Sequence, residues 1–189
     1  MTFKDQYSKN KPLFHSIVAG IFYFLLYWSL DFGSASRGFL TLLMILLPGI
    51  SFPLTTCYFK TGNFKNPILK NIIHFFISLG IYQIVFFIFY IDFVGDGNGK
   101  FMIIFAGFLG SFLFQFMTKY LLKKEITFSQ IVVTSVLSGI AFIPYVHFGK
   151  KGTLLGLAVF LWTIVNGILL NSEYKEANNN TLSGVKINT

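Results

Sequence analysis

Charge is scarce in this chain. Only 12% of its 189 residues are Asp, Glu, Lys or Arg, about half the 25% usual in a soluble domain. That deficit excludes an ordinary water-facing surface over most of the length. Cysteine is nearly absent: Cys57 stands alone, so an intrachain disulfide and a Cys-x-x-Cys site are both excluded. The His-Glu-x-x-His signature is missing, which removes the helix-borne ligands of a zinc protease. No Asp, Glu, Lys or Arg falls in the middle of any apolar stretch. A charge at that depth costs at least about 2.5–3.5 kcal/mol and is usually functional when kept. Its absence argues against a carboxylate-based proton carrier and against a voltage sensor. No Ser and His stand at a spacing that suggests a nucleophile and its base. The sequence therefore points to no enzyme, no cofactor and no metal.

One loop imitates a nucleotide site and fails on inspection. Gly95-Asp96-Gly97-Asn98-Gly99-Lys100 is followed by Phe101, whereas a P-loop needs a Gly five positions before its Gly-Lys pair and Ser or Thr after it. A calcium loop counted from Asp92 would require Glu where Ile103 stands. The segment reads as a flexible turn between helices.

Hydrophobic residues, by contrast, make up 54% of the chain. They gather into six runs, at about 13–30, 39–58, 68–91, 101–122, 130–147 and 153–170. A bilayer core about 30 Å thick is crossed by roughly 20 apolar residues in a helix. The expected fold is all-α: a polytopic membrane protein, a bundle of six transmembrane helices occupying 13–171. Residues 1–12 form a short N-terminal segment, and 172–189, which include Asn178-Asn179-Asn180, are expected to be a disordered tail.

Lysine placement orients the bundle. Lys4, Lys9, Lys11, Lys60, Lys65, Lys70, Lys119, Lys123, Lys124, Lys175 and Lys186 lie on one side of the six runs. Only Arg37, Lys100, Lys150 and Lys151 lie on the other. Positive residues stay inside, so both termini are expected in the cytoplasm. Tyr and Trp near the run ends, such as Trp28, Tyr58, Tyr120 and Tyr145, match an interfacial belt. A signal-peptide reading of the N-terminus, with Ser34-Ala35-Ser36 as the cleavage region, is disfavoured because the apolar run exceeds the usual 7–15 residues. The Phe-, Ile-, Lys- and Asn-rich composition suggests an AT-rich bacterial genome, and hence the bacterial cytoplasmic (inner) membrane. The net charge of +8 is accounted for by these flanking lysines meeting anionic lipid, and nucleic acid is not an expected partner.

Small residues recur one turn apart at Ser16/Gly20, Ala106/Gly110, Gly107/Ser111, Ser135/Gly139 and Gly152/Gly156. In lipid such faces let helix backbones approach. Packing within the chain is the plain reading; a homo-oligomer seam is the alternative, and Phe side chains are expected to face lipid.

The candidate site residues are uncharged. In the second run, Pro48, Gly49, Ser51, Pro53 and Thr55 would interrupt a helix, because each proline removes an N–H and clashes with a preceding carbonyl. Unsatisfied backbone at that depth must face protein or a wet cavity. A kink healed by nearby hydroxyls is the simpler reading; a solute path is the functional one. The fifth run echoes this with Gly139-Ile140-Ala141-Phe142-Ile143-Pro144, as inverted-repeat transporters do, although chance similarity is as good an account. Gln83, Gln115 and Asn166 are the deepest amides. They read as interhelical glue, or as a polar solute site if they converge on the second run. His74, Ser78 and Tyr82 share a face by i, i+4, i+8 spacing, and His74 is expected to snorkel or cap near the inner interface. Trp162 is either packed or a platform for an apolar or cationic ligand. Two functions follow: binding or passage of a small uncharged or amphipathic solute, as a transporter, channel or membrane subunit; or a non-catalytic membrane partner such as a complex subunit, assembly factor or immunity-type protein.

Overall fold

The computed structural model describes residues 3–29, 67–94, 100–122, 125–149 and 151–184. Helices account for 93% of these residues, and there is no strand among them. They are α1 (Phe3–Lys9), α2 (Lys11–Trp28), α3 (Pro67–Val94), α4 (Lys100–Leu122), α5 (Phe128–Ile140), α6 (Ile143–Phe148) and α7 (Gly152–Gly184). Four stretches are long and apolar enough to cross a membrane: Ile68–Ile88, Phe101–Leu121, Phe128–Phe148 and Gly152–Tyr174. The chain is a multi-pass membrane protein. The first expected span corresponds to α2, whose opening residues include Lys11, Pro12 and His15 and which is not among those four. The second, at 39–58, lies outside the described residues.

Backbone proximity sets the helix order. Ser16 meets Gly167, Gly20 lies under Phe160, and Gly156 lies against the backbone of Phe24; α2 and α7 are thus antiparallel. A Cβ on Gly156 would stand 2.8 Å from the Phe24 carbonyl oxygen, so that close approach requires glycine. Gly107 and Gly139 do the same for α4 and α5: Gly139 faces Ile104 and Phe108, and Gly107 faces Ser138 and Phe142. Phe112 meets Phe128 at the start of α5, so that pair is also antiparallel. Val85 lies on Gly110, and His74 meets Thr118, making α3 antiparallel to α4. The α5–α6 segment in turn opposes α7, since Ile131 clusters with Leu169, Ser138 meets Asn166, and Tyr145 clusters with Leu155.

These directions have a topological consequence. α2 opposes α7, α7 opposes α5, α5 opposes α4, and α4 opposes α3. α2 and α3 therefore point the same way, and the end of α2 lies at the opposite end of the bundle from the start of α3. The start of α2 and the end of the apolar part of α7 lie together, tied by Asn171 Nδ2 donating to Asn10 Oδ1 at 3.0 Å.

Two helix ends are set by local sequence. The fifth span breaks into two helices at the Gly139–Pro144 interruption visible in the sequence. A capping box starts α5: Gln130 N donates to Thr127 Oγ1 at 3.2 Å, and Thr127 N donates to Gln130 Oε1 at 2.7 Å. α5 then stops at Ile140. Phe142 N donates to the Gly139 carbonyl, three residues back, and Pro144 at the start of α6 offers no N–H to the Ile140 carbonyl. At the other end, α7 continues to Gly184, through residues expected to form a disordered tail. A helix already nucleated in the membrane extends one hydrogen bond per residue, and no Pro interrupts 172–184.

The lipid-facing surface is aromatic and aliphatic. On α4, the rings of Phe105, Phe108, Phe112, Phe116 and Tyr120 form a ladder with successive centroids 6.4, 6.0, 5.9 and 4.5 Å apart, built on i, i+3 and i, i+4 spacing; Phe105, Phe116 and Tyr120 are exposed, while Phe108 and Phe112 also pack against α5. On α3, Phe76 and Phe87 are more than 60% exposed. In water such a surface would aggregate; in hydrocarbon it costs nothing.

Candidate functional site

Asn166 is the polar centre of the bundle. It is fully buried on α7. Its Oδ1 accepts from Ser111 Oγ and from Gln115 Nε2, each at 2.8 Å. Its Nδ2 donates to Ser138 Oγ at 3.0 Å and to the Trp162 carbonyl at 2.9 Å. Ser111 and Gln115 are one turn apart on α4 and so share a face, while Ser138 is in the last turn of α5 before the break. One amide thus ties three helices, with both its donors and both its acceptor sites in use. Gln115 Oε1 is buried and has no hydrogen-bond partner among the described residues.

A cavity of about 90 Å³ lies on the other side of Trp162, between α2, α3, α4 and α7. Tyr23, Ser78, Tyr82, Phe114, Phe142 and Trp162 are on its wall. A second void of about 70 Å³ adjoins it, reaching Tyr27, Ile103 and Leu155; both are bounded by Tyr82, Val85, Ala106, Gly107, Phe142 and Val159. Along α4 the voids run from Ile103 to Phe114, roughly 16 Å at 1.5 Å per residue.

The break in the fifth span shapes this wall. Because the helix stops at Ile140, the Phe142 ring turns onto Gly107, where an added Cβ would stand 2.6 Å from its Cδ2. Gly107 is pinned from the other side, since Trp162 Nε1 donates to its carbonyl at 3.0 Å. Two features that the sequence suggested separately, the Gly139–Pro144 interruption and Trp162, therefore meet at one glycine.

Polar groups beside the cavity are mostly bonded within the protein. Thr163 Oγ1 donates to the Val159 carbonyl at 2.7 Å. The Tyr27 and Tyr82 hydroxyls pair at 3.5 Å. Ser78 differs: it is buried on the wall, and its Oγ has no hydrogen-bond partner among the described residues. Below the cavity, His74 Nε2 and Thr118 Oγ1 share a hydrogen bond at 3.2 Å, and the Phe114 ring meets the imidazole edge-on at 5.7 Å.

The sequence candidates thus separate. Gln115 and Asn166 come together. Pro144, half-buried at the start of α6, flanks the break that presents Phe142. Gln83, half-buried on α3, neither bonds Asn166 nor lines the two voids. Pro48, Gly49, Ser51, Pro53 and Thr55 lie outside the described residues. Ser78 and Tyr82 do share the cavity-facing side of α3. His74 on the same face does not snorkel: it is 1% exposed and bonded to α4. Lys70, counted among the orienting lysines at the membrane edge, is also buried. Sequence reasoning missed Ser138 and Thr118 as partners, because a single hydroxyl in an apolar run carries no signal of what it meets across the bundle. Among the described residues no three His, Cys, Asp or Glu side chains gather in a metal-binding group. No known protein family, curated protein or solved structure matches this chain.

Proposed function

We propose that this membrane protein binds a small uncharged or amphipathic solute inside its helix bundle, as a transporter, a channel or the membrane subunit of one, and performs no covalent chemistry. The observation that carries this reading is the pair of adjoining voids at mid-bundle, bounded by a broken helix. Discontinuous helices at membrane depth are a common way to build a solute site. The alternative, a non-catalytic membrane partner, is less favoured. The faces of Ser16, Gly20, Gly107, Gly139, Gly156 and Gly167 are covered by the chain's own helices and are not free as a seam for another protein.

The same reading includes six spans with both termini in the cytoplasm of a bacterium. The parallel directions of α2 and α3 support a crossing between them, and residues 30–66 contain one apolar run of spanning length. Lys4, Lys9 and Lys11 lie with Lys119 at one end of the bundle, which the distribution of positive charge assigns to the inside.

Trp28→Phe leaves Trp162, on the cavity wall, as the sole tryptophan. Titrating that variant in nanodiscs with a panel of small uncharged compounds of graded polarity should give a saturable emission change with at least one of them. Linear, unsaturable responses throughout, matching those of the Trp162→Phe variant that keeps only Trp28, would refute solute binding.

A further inference from the structure

We infer that the voids between α2, α3, α4 and α7 accept a compact hydrocarbon group, a short alkyl chain or a small aromatic ring, and reject a polar solute of equal size. This deepens the proposed function and rests on it. Three observations support it.

The first is the state of the hydrogen-bonding groups. Asn166, the strongest recognition group at this depth, has all its positions filled by Ser111, Gln115, Ser138 and the Trp162 carbonyl. The Trp162 indole N–H and the Thr163 hydroxyl are bonded to backbone carbonyls. A polar solute entering here would lose its water and find in return only the Ser78 hydroxyl and the spare capacity of the Tyr23 and Tyr82 hydroxyls. Polar groups buried without hydrogen bonds are strongly disfavoured, so the wall selects against such a solute.

The second is size. The adjoining voids, about 90 and 70 Å³ and each partly open at one side, are together about the size of an apolar cavity of about 150 Å³ that stays dry and binds benzene or xenon.

The third is the wall itself. Phe114, Phe142 and Trp162 present rings, and Ile81, Val85 and Val159 present branched aliphatic groups. Ring edges and faces of this kind pack against hydrocarbon at offset or edge-on geometries. Glycines at 107 and 110 keep the α4 side of the void open, and a Cβ on Gly110 would already stand 3.3 Å from Val85 Cγ2.

The test uses the Trp28→Phe protein, with benzene as the apolar probe and urea and glycerol as polar probes. A saturable change in Trp162 emission with benzene, and none with urea or glycerol, is the expected result. Ser78→Ala keeps the void and should leave the benzene midpoint within about two-fold, since an apolar ligand makes no hydrogen bond there. Ser78→Leu places a larger side chain in the void and should abolish saturation, while the fold is checked by thermal unfolding. Saturation by urea or glycerol but not benzene would overturn the hydrocarbon class and leave solute binding standing. Benzene saturation unaffected by Ser78→Leu would place its site elsewhere and also overturn the inference. Saturation by none of the probes would overturn both readings. A lipid acyl tail offers the same chemistry as a free small molecule, so benzene is titrated both in nanodiscs and in a fluorinated surfactant. With midpoints expressed as free aqueous benzene, measured in each medium, equal values identify a free ligand; a several-fold weaker value in lipid identifies competing tails. Either outcome supports a hydrocarbon occupant.

Discussion

Replacing Asn166 tests whether the bundle depends on one amide. Asn166→Ala removes three interhelical hydrogen bonds, to Ser111, Gln115 and Ser138, and one bond within α7, to the Trp162 carbonyl. The last counts least, because a helix carbonyl already has a backbone donor in its own ladder. Interhelical hydrogen bonds in membranes average roughly 0.6 kcal/mol, so the three put the loss near 2 kcal/mol. Leaving Gln115 wholly unpaired adds to this, since a buried amide without partners costs about 1–3 kcal/mol. The expected destabilisation is therefore about 3–5 kcal/mol. The assay is reversible unfolding in mixed micelles of lipid-like detergent and dodecyl sulfate, followed by helicity and Trp162 emission. Ser111→Ala and Ser138→Ala should each cost about 0.6 kcal/mol. Combined with Asn166→Ala they should add almost nothing, because the bond they would remove is already gone. Additive losses, or an Asn166→Ala protein that unfolds at the parent detergent fraction, would refute the clamp.

Further outcomes follow from the same geometry. Ser78→Ala should stabilise the empty protein by about 1 kcal/mol, because it removes a buried hydroxyl without a partner; an unfolding midpoint lower than the parent's would count against this. Gly156→Ala should destabilise by about 1–3 kcal/mol, since its Cβ meets the α2 backbone and a helix must shift; the same titration reads it. Thr118→Val should cost roughly 0.6 kcal/mol by removing the hydroxyl that meets His74, and Thr118→Ser should retain most of the parent stability. Fusions of alkaline phosphatase and a fluorescent protein after residues 35 and 63 should report opposite sides of the membrane, outside and then inside; the same side for both would remove the second span.

Parts of the site were legible because some residues leave little choice. Asn166 and Gln115 could be recognised as inward-facing, since an amide in hydrocarbon must find a partner. Their actual partners were not legible, because Ser111 and Ser138 come from helices whose rotation is set by packing against Gly107 and Gly139. The Gly139–Pro144 interruption was visible from proline chemistry, but its effect, turning Phe142 onto Gly107, depends on which helix lies opposite. Distance from the run's end placed His74 and Lys70 near the interface but gave no sign that neighbouring helices would cover them. Both are buried, on the same face of α3 as Ser78 and Tyr82.

The sequence by itself determined the solvent. A chain with so few charges and four described stretches of spanning length has to place its backbone polar groups in helices, because hydrocarbon offers no other donor or acceptor. The tertiary structure decided where the polar side chains are bonded and where space remains. Those outcomes depend on helix rotation and approach of an ångström or less, fixed by contacts such as Gly156 on Phe24 and Gly107 under Phe142, which no pattern along one chain encodes.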